Sequence, residues 1–155
     1  MLHDLFTSMH AAAGVVAFAC GCAAMWRRSA FPAYFASLVA MVAFMVAAVA
    51  VDWAGLTAAP RTIFLALVAL GGYLLVRADL ARRELAGGAD ARSPRVVDHI
   101  GFTLVALFDG FAVVAVVTRG GPGWLAAVVG VVGVAVGHLT LRRVKRRGAL
   151  DQVRA

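Results

Sequence analysis

An aspartate, Asp109, stands near the middle of HIGFTLVALFDGFAVVAVV, residues 99–117, an otherwise almost unbroken apolar run. Histidines occupy comparable settings: His10 early in the first apolar stretch, His99 at the start of the Asp109 run, and His138 late in the last stretch. Carboxylates and imidazoles are the side chains that exchange protons and ligate metals. Inside a membrane span such groups are costly, roughly 2.5–3.5 kcal/mol for a central acid, and by default they face a bundle interior or a watered cavity. Three roles are open to Asp109. It is neutral and hydrogen-bonded to another helix, or it is a site for a proton, cation or polar ligand, or it contacts a partner subunit. Gly110 beside it lets a backbone or a ligand approach closely.

Helical geometry sorts these groups. His99, Thr103, Ala106 and Gly110 share one stripe, and Asp109 is turned roughly 80–100° from it, about 15 Å further along the axis. A straight proton path along this helix is therefore not expected. His99 and His138 lie at comparable depth on successive helices, which admits a b-type haem clamped between them as an alternative; no other cofactor is expected. His10 lies near the opposite face, as do Asp52 and Arg61. His3 and His10 share a helix face, but Asp4 is their only nearby extra ligand. Cys20 and Cys22 point to roughly opposite faces and read as small apolar filler. Phosphate-loop, zinc-protease and serine-hydrolase signatures are missing, so enzymatic chemistry is not expected.

The elements that must position these groups are apolar helices. Hydrophobic residues make up 63% and charged residues 15% of the 155-residue chain, and mean hydropathy is +0.88. Soluble domains run about 45–50% apolar and about 25% charged, and a chain of this size cannot hide the excess. Five apolar segments, roughly 9–26, 31–51, 58–76, 100–117 and 124–141, each approach the ~20 residues of a helical span. The expected fold is all-α: an integral membrane bundle of five transmembrane helices, with a loop over 77–98 and a basic tail over 142–155. Residues 77–86 could extend the third helix, with GGADARSP as a break and TRGGPG as a tight turn.

Basic residues give the orientation. Alternate sides of the five-span arrangement carry thirteen and two of the 15 lysines and arginines. The positive-inside rule then puts the N-terminus outside and the C-terminus in the cytoplasm. Trp26 falls at the inner interface, and Trp53 and Trp124 at the outer, where amphipathic rings settle. The first segment, MLHDLFTS, has no Lys or Arg, so a cleaved secretory signal is not expected. A net charge of +7 does not imply nucleic-acid binding here, because the cations flank spans; the tail could hold anionic lipid headgroups.

Small residues recur at helical spacing. Ala13, Ala17 and Gly21, with Ala24, mark the first span; Ala126, Gly130, Gly133 and Gly137 mark the fifth. Such stripes let helix backbones approach closely, within the chain or against a partner. The H-x-x-x-G-x-x-A pattern HAAAGVVA, residues 10–17, resembles small bacterial polytopic membrane proteins of unassigned function, some suspected of binding haem; no function is carried over from it. The expected function is a non-enzymatic subunit or accessory protein of the bacterial plasma membrane, packing with itself or another membrane protein. A proton, cation or small-solute transport element built on Asp109 and the histidines is the alternative, and a membrane cytochrome the third.

Overall fold

The computed structural model describes residues 1–125, 127–137 and 139, which are predominantly helical with no strand among them. Four long helices follow one another: α1 (Leu2–Ala24), α2 (Phe31–Asp52), α3 (Ala58–Ala86) and α4 (Pro94–Thr118). All four are long and apolar enough to cross a membrane, and a shorter apolar helix, α5 (Gly123–Gly137), follows them. Only 17–28% of the most apolar window of each long helix is buried inside the chain. Most of the apolar surface faces outward, as expected of helices whose solvent is not water.

Local chemistry sets the helix ends. Pro32 sits in the first turn of α2, where a missing N–H costs nothing. Ser93 caps α4, its hydroxyl accepting from the Val96 N–H at 3.4 Å just before Pro94. Helix α3 ends where Gly88 turns to φ +92°, with Gly88 N–H donating to Leu85 O and Ala89 N–H to Glu84 O. Gly120, φ +75°, ends α4 in the same way, with Gly121 N–H donating to Val116 O. These are left-handed closures that suit glycine.

The helices run beyond the apolar stretches. Most of the loop expected over 77–98 is helix, with only 87–93 connecting α3 to α4. The reason is local: Ala, Leu, Arg and Glu are strong helix formers, and Asp79 pairs with Arg82 and Arg83 one turn on. The first helix likewise begins at Leu2 rather than near residue 9.

Each long helix packs on its chain neighbours, and α1 also meets α4, closing a ring. The tightest core lies toward the end that carries Arg27, Arg28 and the α3–α4 connection. There Tyr34, Leu38, Val96, Ile100 and Thr103 are fully buried. Small residues let α1 settle on its neighbours: Gly14, Ala17, Gly21 and Ala24 are buried, while Ala13 is partly buried beside them. A Cβ on Gly21 would come within 2.8 Å of Leu104 and 3.0 Å of the Tyr34 ring. Toward the opposite end α3 loosens, with Ile63, Leu65, Leu67 and Leu70 all exposed.

Candidate functional site

Helix α5 lies on α4 along its glycine stripe. A Cβ built on Gly133 would overlap Asp109 Oδ1 and come within 3.0 Å of its Cγ. One turn away, a Cβ on Gly137 would overlap Val105. Gly130 is looser, with Val113 at 3.7 Å and Asp109 Oδ2 at 3.8 Å from the equivalent position. The Asp109 side chain thus lies against α5 backbone, over the one residue type that leaves it room.

The carboxylate is divided between two settings. Oδ1 is buried and accepts no hydrogen bond within the described residues. The residue as a whole is only half-buried, and it lines a groove of about 390 Å³ bounded by α3, α4 and α5. Leu67 and Leu70 form one wall, Phe102 and Val105 the floor, and Val134 the other wall. Gly110 lines the groove as well, and a Cβ there would meet nothing within 4 Å. An acid therefore stands in an apolar groove, with open space beside it.

The described histidines do not converge on this acid. His10 Nδ1 lies 2.8 Å from the Met41 carbonyl oxygen. A carbonyl only accepts, so Nδ1 carries the proton and ties α1 to α2. His99 is half-buried on α4 near the arginine-rich end, and its backbone carbonyl accepts from the Thr103 hydroxyl at 3.2 Å. Thr103 is fully buried and faces the Tyr34 hydroxyl, so it serves the helix seam and not the groove. His138, with the His99–His138 haem pair, lies outside the described residues, as do Ala126 and the 142–155 tail. Among the described residues no three His, Cys, Asp or Glu side chains gather as a metal site.

Two polar clusters escaped the sequence reading. Arg77 donates to Asp98 Oδ2 at 2.7 Å and to the Asp98 carbonyl at 2.8 Å, while its guanidinium lies 4.9 Å from the Phe102 ring centre. The pair joins α3 to α4, and Arg77 is 16% exposed, so it is well shielded from screening solvent. The signal was there: opposite charges at matching depth on successive antiparallel helices. At the other end His3 Nδ1 meets Asp52 Oδ2 at 2.8 Å, and Arg61 donates to the Trp53 carbonyl at 3.1 Å while lying over the Trp53 ring. Elsewhere, Arg28 donates to the Leu85 carbonyl, which fastens the α1–α2 turn to the end of α3.

No family model, curated protein or solved structure matches this chain. The groove must be read from its own chemistry. Among the described residues it supplies one carboxylate, apolar walls and no nucleophile or acid–base pair.

Proposed function

We propose that this chain is a multi-pass protein of the bacterial plasma membrane, crossing it five times with the N-terminus outside and the arginine-rich end in the cytoplasm. Its working part is the groove beside Asp109, which binds a proton, cation or small solute from within the membrane without catalysing a reaction. The outward apolar surface of the four long helices and the thirteen-to-two division of basic residues support the topology. The functional part rests on one observation: Asp109 opens onto an apolar groove with one oxygen buried and without a hydrogen-bond donor among the described residues. A purely structural acid would find its donors inside the bundle.

Subunit assembly is the second reading. Both small-residue stripes face neighbours within the chain, which leaves less for a partner to grip. The exposed far half of α3 is the observation that favours an added helix there.

Labelling in membranes with dicyclohexylcarbodiimide, an apolar carboxyl reagent, tests the main reading. Mass spectrometry should find the adduct on Asp109 and lose it in Asp109→Asn. An intact, folded chain that stays unlabelled at Asp109 refutes a lipid-accessible acid.

A further inference from the structure

The groove's dimensions and charge narrow what it can hold. Along α4 its lining runs from Phe102 to Val113, about 16 Å at 1.5 Å per residue. The groove offers about 390 Å³. That volume suits a small molecule, whose sites run about 300–1,000 Å³. Among the described residues no basic side chain lines the groove. Arg77, which stacks on the lining residue Phe102, is held by Asp98. Among the described residues nothing in the groove supplies a counter-charge for Asp109, so an occupant that brings one is the better match. A bare metal ion is a poor match, since hard cations need about six or more oxygen ligands and the walls offer hydrocarbon. A proton alone would leave the space empty.

We propose that the groove between α3, α4 and α5 binds a small lipophilic organic cation, its charge against the Asp109 carboxylate and its apolar substituents against Leu67, Leu70 and Val134. This rests on the reading of the Asp109 groove as the working part. A diffuse organic cation is weakly hydrated, so it gives up little on leaving water. Its substituents bury apolar area while the charge meets the one acid present. Gly110 leaves the space next to the carboxylate through which the cation comes close.

The test uses the full chain in a non-ionic detergent, with tetraphenylphosphonium as the probe and tetraphenylborate as a near-isosteric anion. Equilibrium dialysis should give saturable binding of one phosphonium per chain that the borate does not displace. Asp109→Asn should weaken it at least tenfold. Gly110→Leu fills the groove from a position where an added Cβ has open space around it; it should weaken binding at least tenfold too, and it decides the matter should the aspartate variant misfold. Phosphonium should also protect Asp109 from the carbodiimide. Equal uptake of cation and anion, or affinity unchanged in both variants, overturns the proposal. Carbodiimide labelling without phosphonium binding or protection rejects the organic cation and leaves the groove reading standing; absent labelling brings down that reading itself. A photo-crosslinker at position 110 that captures a second polypeptide assigns the groove to a partner helix and likewise overturns the proposal.

Discussion

The glycine stripe of α5 makes a graded prediction, because its three members meet different surfaces. Replacing glycine by alanine inside a helix gains roughly 0.5–1 kcal/mol from reduced backbone freedom. At Gly130 the added methyl makes only ordinary contacts at 3.7 and 3.8 Å, so Gly130→Ala keeps that gain. At Gly133 the methyl runs into the tip of Asp109, a side chain that can turn aside. An off-rotamer shift costs about 0.5–1.5 kcal/mol, so Gly133→Ala comes out near zero or slightly destabilising. At Gly137 the methyl overlaps Val105 and approaches its Cβ to 3.0 Å. A β-branched side chain on a helix has one strongly preferred rotamer, so the helices must separate instead. Overpacking costs about 1–3 kcal/mol, leaving a net loss of about 1–2 kcal/mol. Unfolding of the purified variants by dodecyl sulfate in mixed micelles, followed by circular dichroism, reads the order directly. In the Gly137→Ala/Val105→Ala double variant the coupling should be visible as a smaller loss than the single changes predict together. Equal costs at all three positions, or Gly130→Ala as the most damaging, would refute the packing of α5 on α4.

Three further outcomes follow from contacts elsewhere. Arg77→Ala leaves the half-buried Asp98 carboxylate without its guanidinium and should cost about 1–3 kcal/mol in the same titration; Arg77→Lys should restore only part of this, since an ammonium can donate both bonds that Nη2 makes to Asp98 but cannot lay a flat guanidinium over Phe102. Gly21→Ala should destabilise by about 1–2 kcal/mol net of the backbone gain, because the methyl meets Leu104 and the fully buried Tyr34 ring, and a silent Gly21→Ala would disprove the tightness of that seam. His10→Leu removes one hydrogen bond to Met41, worth about 0.5–1.5 kcal/mol, and should leave phosphonium affinity unaltered; a tenfold drop there would connect His10 to the groove after all.

Helix positions were largely legible because punctuation and period agree: Pro32 and Pro94 at starts, Gly88 and Gly120 at ends, apolar residues between. Helix lengths were less so, since hydropathy marks where a chain is apolar and α3 continues on polar residues paired within one turn. Asp109 and the glycines were each conspicuous in sequence. Their meeting was not, because it depends on how two helices rotate about their own axes, which the α4–α5 turn and the fit of Val105 to Gly137 settle together. The rim histidines show the same gap. His10, Asp52 and Arg61 share a level in sequence, yet Asp52 pairs with His3, since α1 begins early enough to bring His3 onto the helix. Arg77 was counted as a topology signal, although with Asp98 it fastens α3 to α4.

The cover over Asp109 comes from a residue made after it, and that has a consequence for biogenesis. Gly133 follows Asp109 by 24 positions, about 1–5 s of synthesis at roughly 5–20 residues per second. During that interval α1 and α2 can already have zipped together, whereas the acid-bearing helix has no glycine surface to lie against. Shielding of the acid therefore waits on α5, since Gly133 is the position whose missing Cβ leaves room for the carboxylate.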